Sequence, residues 1–206
     1  MESMIKKQLL ILLLLNVGFV RAQYSDAVLR AFEKSYAFEK ERDFEQASAY
    51  LSAVYQADSY EFNIRLGWLE YNIGRFQKSI GYYRKALHLL PYSEEARFGL
   101  ILPLSARGEW DEVAQLYREV LANSPGNTRA LYHLGLIHYE RREWTQAARF
   151  FQKVVDLYPF DFDGLHMLAW TNLRLGKTRE AKVLFNKALL WSPNNVSIRE
   201  GLELLK

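Results

Sequence analysis

Four of the five prolines in the chain follow one another at intervals of 34 residues, at Pro91, Pro125, Pro159 and Pro193. Each of these prolines comes a fixed distance after an apolar stretch. A constant period of this length is typical of stacked two-helix units, in which each unit buries its apolar face against the next. The period therefore predicts a repeat array and limits the fold more than any other feature of the sequence.

The window 60–93 shows what one period contains. Leu66-Gly67 lies midway along a first apolar helix, and Gly74 ends that helix, as glycine does where a helix leaves through a left-handed residue. Tyr83 lies on the apolar face of a second helix. Pro91 ends the second helix because proline lacks an N–H donor and its ring clashes with the preceding turn.

The same pattern recurs through most of the chain. It fits four full windows and one shorter, less regular window, which are 60–93, 94–127, 128–161, 162–195 and 28–59. Residues 196–206 place Ile198, Leu202 and Leu205 on one helical face, which predicts a final helix that covers the last unit. The recurrence of small, aromatic and proline positions resembles the tetratricopeptide repeat family. This resemblance implies an all-α fold, a right-handed α-solenoid of about five helix-turn-helix hairpins, forming a single domain over residues 23–206 with a capping helix at 196–206.

The third window, 94–127, departs from the repeat. Ile101 replaces a small residue that is Gly67, Gly135 or Ala169 in the other full windows. Pro103 also falls inside the first helix, where it removes a hydrogen bond to the carbonyl of Gly99. Two interpretations stay open: a tolerated kink that accommodates bulkier packing, or a local widening of a binding groove.

Composition and charge exclude several function classes. Half of the residues are hydrophobic and 15% are aromatic, which favours a folded core over disorder. The formal net charge is only +3, so no broad electrostatic attraction to nucleic acid is expected. The absence of cysteine excludes disulfides and thiol catalysis.

The N-terminus has the pattern of a secretory signal at residues 1–22. Lys6 and Lys7 precede an aliphatic run from Leu9 to Leu15, and Val20-Arg21-Ala22 supplies small-enough residues before a cut. These features predict export to the periplasm or exterior of a bacterium, with no stable membrane span after cleavage. The alternative is an uncleaved membrane anchor, for which an apolar core of about 13 residues is short.

The family resemblance also places a set of residues in a concave groove lined by the first helices. These candidate partner-binding residues are mostly aromatic or apolar: Phe32, Tyr36, Ile64, Trp68, Tyr71, Phe98, Leu102, Tyr132, Leu136, Tyr139, His166, Trp170 and Arg174. An exposed aromatic strip is typical of a binding surface, although a single aromatic residue at helical spacing is more often part of the core. Some family members clamp a C-terminal carboxylate with lysine, asparagine and arginine, but the corresponding positions here include Ile64, Trp68, Gly99, Arg129 and Met167.

Catalytic and metal-binding patterns are absent from the sequence. His133 and His138 are five residues apart, which directs them to different helix faces, and no cysteine completes a zinc site. The glycines occupy turns and packing positions instead of forming a phosphate-binding loop. Asp161 and Asp163 are better explained by helix capping than by acid–base chemistry. We therefore expect no enzyme activity, cofactor or metal.

These observations favour a non-catalytic scaffold that binds a protein or peptide segment in the aromatic groove. From the resemblance, a role in assembling the cell envelope is the expectation for an exported bacterial member. The alternative is a soluble receptor for a glycan or another small or polymeric ligand, because tyrosine and tryptophan faces stack on sugar rings as well as on peptides. A flat aromatic platform would favour the glycan, and separate pockets would favour the peptide.

Overall fold

The structure is a computed structural model that describes residues 24–206. The predicted signal segment lies outside the described residues. Within residues 24–206 all regular secondary structure is helical. In chain order the helices are α1 Asp26–Lys40, α2 Phe44–Ser52, α3 Tyr60–Ile73, α4 Phe76–Leu89, α5 Glu94–Ala106, α6 Trp110–Asn123, α7 Thr128–Glu140, α8 Trp144–Leu157, α9 Phe162–Arg174, α10 Thr178–Trp191 and α11 Val196–Glu203. The predicted all-α fold of helix-turn-helix hairpins is confirmed.

Contacts divide the chain into two units. Unit 1 extends to Tyr55 and holds the hairpin α1–α2. Unit 2, Gln56–Lys206, is an α-solenoid of four hairpins, α3–α4, α5–α6, α7–α8 and α9–α10, followed by α11. Each hairpin of unit 2 packs on the next hairpin along the chain. The interpretation of residues 23–206 as one domain stays a prediction.

A polar residue begins each first helix of unit 2, and these residues also recur every 34 positions. They are Ser59, Ser93, Asn127, Asp161 and, before α11, Asn195. In each case the side-chain oxygen accepts a hydrogen bond from the backbone N–H three residues further on. Such N-caps satisfy one of the N–H groups that a helix start leaves without a partner.

Each second helix of unit 2 ends two residues before a repeat proline. The next residues, Leu90, Ser124, Tyr158 and Ser192, have non-helical backbone conformations, with φ between −129° and −137°. The ring of the following proline disfavours helical geometry at these positions. The proline period therefore sets the helix boundaries directly.

One position in the turn inside each hairpin has left-handed backbone geometry. Glycine occupies it at Gly74, Gly108 and Gly176, with φ of 74° to 87°. Arginine occupies the matching positions Arg142, with φ of 60°, and Arg42 in unit 1, with φ of 62°. Left-handed geometry is unfavourable for a residue with a Cβ, so these two arginines are strained.

Aromatic side chains of the second helices fill the space that the small residues leave. A Cβ added at Gly67 would lie 3.0 Å from the ring of Tyr83, and one added at Gly135 would lie 2.5 Å from the ring of Phe151. Tyr83 and Phe151 are 3% and 0% exposed. The small residues therefore allow close packing of helix and ring.

The third hairpin is looser than its neighbours. Helix α5 continues on both sides of Pro103, so the proline does not end it. Helix α6 nevertheless packs less closely against α5 than the second helix does in any other hairpin of unit 2. Helix α6 also packs less closely against α7 than α4 packs against α5 or α8 packs against α9.

The final helix closes unit 2. Ile198 of α11 is fully buried, and a Cβ at Gly201 would overlap the ring of Phe185 in α10. Helix α11 thus covers the apolar end of the last hairpin, as a solenoid cap does. In residues 24–206 none of the helices combines the length and the hydropathy needed to cross a membrane.

Candidate functional site

All thirteen predicted groove residues lie on first helices and none is fully buried. Tyr36 and Arg174 are exposed, and the other eleven are half-buried. Their role in binding stays a prediction. Phe32 and Tyr36 lie on α1 of unit 1, with ring centroids 6.4 Å apart. The other eleven residues belong to unit 2.

Most of the predicted aromatic residues in unit 2 contact another ring at an angle. Trp68 and Tyr71 of α3 lie 6.1 Å apart with a 33° tilt. Tyr139 of α7 meets Trp144 edge-on at 4.9 Å. These rings are held by their neighbours, and they do not form one flat platform. Ile64 and Phe98 also pack partly against the buried core.

A cavity of about 690 Å³ opens between α5, α6 and α7, which we call the central cavity. Two predicted groove residues, Leu102 and Leu136, line it. Its full lining is Ile101, Leu102, Ser105, Trp110, Val113, Tyr117, Arg129, His133, Leu136, Ile137, Glu140 and Arg141. Most of this surface is apolar, and its volume falls within the range of small-ligand and side-chain pockets.

The central cavity lies where the repeat loses its small residues. In the next hairpin Phe151 packs against Gly135, but here the positions that match Gly135 and Phe151 hold the bulky Ile101 and Tyr117, which share one buried cluster. Tyr117 stacks on His133 of α7, with centroids 5.2 Å apart and only 7° between the planes. A full-sized ring at His133 and a branched side chain at Ile101 keep α6 away from its neighbours, which leaves the space open.

One end of the central cavity is cationic. The guanidinium of Arg129 lies 4.2 Å from the ring centroid of Phe98, a distance at which a cation is attracted to the ring face. Burial, followed by the charge of Arg129, lowers the pKa of His133 below its usual 6.5. Burial also raises the pKa of Tyr117, against the opposing charge of Arg129. Near neutral pH, Arg129 therefore supplies the positive charge at this end.

The opposite end of the central cavity has mixed charge. Glu140 is exposed at the last turn of α7. The next residue, Arg141, pairs with Asp111 of α6 at 2.7 Å. The positive charge of Arg141 is therefore largely compensated, and Glu140 makes this end less favourable for an anion than the end at Arg129.

At the C-terminal end of unit 2, two predicted groove residues form hydrogen bonds with the capping helix α11. His166 Nε2 lies 2.9 Å from the hydroxyl of Ser197, and the indole N–H of Trp170 donates to that hydroxyl at 3.0 Å. Trp170 also meets Phe185 edge-on. The polar atoms of His166 and Trp170 therefore hold α11 in place, a structural role that the spacing of first helices did not predict.

His138 also has structural partners. It stacks on Phe150 with ring centroids 5.3 Å apart and pairs with Glu143, whereas His133 stacks on Tyr117. Over residues 24–206 no group of three or more histidine, cysteine, aspartate or glutamate side chains is placed to hold a metal ion. The geometry of the central cavity is that of a mostly apolar opening with one cationic end.

Family comparison agrees with this arrangement. A sequence model described as a tetratricopeptide repeat matches residues 32–94 and 102–162, more than half of the chain, and a second one matches residues 150–183. The chain belongs to the tetratricopeptide repeat family. No curated protein matches it.

Solved tetratricopeptide repeat structures share the fold. A tetratricopeptide repeat protein from Parabacteroides merdae ATCC 43184 is 21% identical, with a TM-score of 0.76 over 88% of this chain and 73% of that chain. MamA, from residue 41 to its end, from Desulfovibrio magneticus RS-1 is 22% identical, with a TM-score of 0.71 over 84% and 98%. At these identities the likeness shows the fold alone.

Membership of the tetratricopeptide repeat family also sets the general function. Tetratricopeptide repeat proteins are protein-interaction scaffolds, typically without catalytic activity, and no enzyme family matches this chain. Sequence reasoning missed four residues of the central cavity that carry its shape and charge: Trp110, Tyr117, Arg129 and His133. The sequence signal for these residues was Ile101, which replaces a small residue of the repeat. It identified the hairpin that departs from the pattern but not the side chains that line the cavity.

Proposed function

We propose that this protein binds a segment of a partner protein along the first helices of unit 2, with the central cavity as the anchor point. The observation that carries the proposal is the central cavity itself, an apolar opening of about 690 Å³. Apolar pockets that receive a large side chain supply most of the affinity in many peptide complexes. The candidate residues Leu102 and Leu136 form part of its wall.

The shape of the site favours a peptide over a glycan. Sugar rings stack best on a flat, accessible aromatic face, whereas the rings here are tilted or edge-on and already contact one another. The central cavity instead offers depth and an apolar lining. A peptide side chain matches such an opening better than a hydroxyl-rich ring, whose polar groups would lose water without gaining partners.

We further propose that the protein is exported by a bacterium and acts in the periplasm or outside the cell, where it organises envelope components. Support comes from the paired lysines, the aliphatic run and the small residues near position 22. Mass spectrometry of native material tests this proposal. A chain that begins at Gln23 in an exported fraction would support it, and a full-length chain in the membrane fraction would contradict it.

The binding proposal is tested with peptides selected from a phage-displayed random library on the immobilised protein. Selected peptides are then measured by fluorescence anisotropy against Leu102→Lys, which places a charge in the cavity wall. We expect affinity to fall at least tenfold, about 1.4 kcal/mol, because an apolar anchor loses its partner. Thermal melting confirms that the variant is folded.

Val183→Lys is the matched control. Val183 is 63% exposed on α10 and does not line the central cavity, so the same substitution there should leave affinity unchanged. If no peptide is selected, or if Leu102→Lys and Val183→Lys bind selected peptides as well as the unmodified protein does, the central cavity is not the binding site.

A further inference from the structure

We infer that the partner segment anchored at the central cavity carries a carboxylate beside its large apolar side chain, and that this carboxylate lies against Arg129. The inference rests on the proposed function and specifies the chemistry of the partner. It follows from three features of the cavity: its apolar interior, the fixed position of one arginine, and the unequal charge at its two ends.

The interior accommodates an apolar side chain and nothing charged. The apolar part of the wall includes Leu102, Val113, Leu136 and Ile137. Trp110, which is 49% exposed, forms one edge and leaves the cavity accessible from solvent. A leucine, phenylalanine or tryptophan side chain would remove apolar surface on both partners from water, a gain of roughly 25 cal/mol per Å².

Arg129 is positioned to receive an anion at the edge of that interior. Its side chain is exposed at the start of α7, and the ring of Phe98 holds the guanidinium from one side. Among residues 24–206 no carboxylate forms a salt bridge with Arg129. An arginine held in this way loses little conformational freedom when it binds a carboxylate, and its planar group can donate two parallel hydrogen bonds.

The surrounding charges give the partner a direction. Arg129 and Glu140 lie on the same face of α7, eleven residues apart, which corresponds to about 16 Å at 1.5 Å per residue. A carboxylate near Glu140 would be repelled, and Arg141 at that end is already paired with Asp111. The acidic residue of the partner should therefore lie at the end of the cavity where Arg129 lies, and only there.

The neutral state of His133 makes Arg129 the dominant group at this end. The pKa of His133 is lowered by burial and by Arg129, so the imidazole carries no charge near neutral pH. Its ring stacks on Tyr117 and is part of the cavity lining. Removal of the Arg129 charge should therefore remove most of the attraction for an anion.

The inference is tested with the same library, selected on the unmodified protein and on Arg129→Gln. On the unmodified protein we expect peptides in which aspartate or glutamate recurs within a few positions of an aromatic or leucine residue. On Arg129→Gln the apolar residue should persist and the acidic residue should lose its enrichment. Arg129→Lys should retain part of the acidic preference, because the charge remains and the bidentate geometry does not.

A double-mutant cycle with one selected peptide measures the contact itself. Replacement of its acidic residue by the matching amide should weaken binding to the unmodified protein by about tenfold. The same replacement should have little effect on binding to Arg129→Gln, because the two changes remove one interaction. Raised salt should weaken only the pair that retains both charges.

The two proposals fail in different ways. If selected peptides depend on Leu102 but show neither an acidic preference nor coupling to Arg129, the inference is wrong and the binding proposal stands. If the acidic residue couples to Arg129 while Leu102→Lys has no effect, anchoring in the cavity is wrong. Arg179→Gln is the charge control, because Arg179 is exposed on α10 and does not line the central cavity. A tenfold loss of affinity for that variant would overturn the assignment of the carboxylate to Arg129.

Discussion

Single residues in this protein depart from the repeat in ways that have measurable consequences. The left-handed position inside the hairpins is glycine three times in unit 2 and Arg142 once. The small position on the first helices is Gly135 in one hairpin and Ile101 in another. His133 occupies a position where α7 meets the ring of Tyr117. Arg142, Gly135 and His133 each support a prediction at the residue scale.

We expect Arg142→Gly to raise the free energy of unfolding by up to ~1 kcal/mol, because glycine adopts left-handed geometry without a Cβ clash. The reverse change at the matching position, Gly176→Arg, should lower the free energy of unfolding by a similar amount. Urea denaturation of both variants measures the effect. A destabilised Arg142→Gly would indicate that the arginine side chain makes a favourable contact that outweighs the strain.

Gly135→Leu should be far more destabilising than Gly126→Leu. A Cβ at Gly135 meets the ring of Phe151 at 2.5 Å, so a larger side chain forces a buried ring to move, at ~1–3 kcal/mol or more. A Cβ at Gly126 meets only Leu157, at an ordinary 3.9 Å, in an exposed turn. Denaturation midpoints that are equal for the two variants would contradict the packing described for Gly135.

His133 should make the protein less stable in mild acid. Its folded pKa is below 6.5, so the unfolded chain takes up a proton first as pH falls. Stability should therefore decline below about pH 6.5, through the folded pKa, and be unaffected by this group at higher pH. His166, whose pKa is also lowered by burial, acts in the same direction.

Arg129→Gln should raise the pKa of His133, since Arg129 is one of the two causes that lower it. The pKa can be followed by NMR titration of the imidazole protons. His166→Gln serves to assign the second shifted histidine. A His133 pKa that does not move in Arg129→Gln would show that the guanidinium lies farther away than described.

At the scale of the helices, local signals define where each element begins and ends. First helices of unit 2 start at a side-chain N-cap, and the second helices end before a proline. The second helices of unit 2 have no side-chain cap at their start, as at Lys177 before α10. Their position instead depends on the packing of their apolar faces. Because bulky residues change that packing at α6, this helix lies farther from its neighbours.

This difference predicts unequal effects of alanine at two helix starts. Asp161→Ala removes a 2.7 Å bond to the N–H of Gly164 and should cost about 1 kcal/mol of stability. Lys177→Ala, at the start of α10, removes no cap and should change stability by a few tenths of a kcal/mol at most. Equal losses in thermal melts would contradict the distinction between the two kinds of start.

At the scale of the whole molecule, the contacts of unit 2 run from each hairpin to the next, so stability depends on neighbours and on the cap. Helix α11 protects the last hairpin through Ile198, which is fully buried, and through the hydroxyl of Ser197. Damage to the cap should therefore begin locally and spread inward.

We expect Ile198→Ala to increase hydrogen exchange in α9 and α10 before it affects α3 and α4. Loss of a fully buried isoleucine side chain typically costs ~2–5 kcal/mol at its site. Exchange followed by mass spectrometry resolves the hairpins, and Leu204→Ala, at an exposed position, is the control. Uniform loss of protection across unit 2 would show that it unfolds as one cooperative block.

The sequence by itself determined the fold class, the period and the positions of the helices. Prolines, left-handed turn residues and capping side chains act on backbone within a few residues, so their effect can be read without knowing what lies nearby. The placement of the candidate aromatic residues on first helices follows from the same period. The unusual packing at Ile101 was also visible in the sequence, but with two open interpretations.

Only the tertiary structure decided what those residues meet. The Tyr117–His133 stack joins residues on two different helices, and the bonds of Ser197 to His166 and Trp170 join α11 to α9. Such contacts depend on how far neighbouring helices approach, which is the combined result of many side-chain volumes and cannot be read from one position. The central cavity exists for that reason, because one bulky residue and one ring together hold α6 apart.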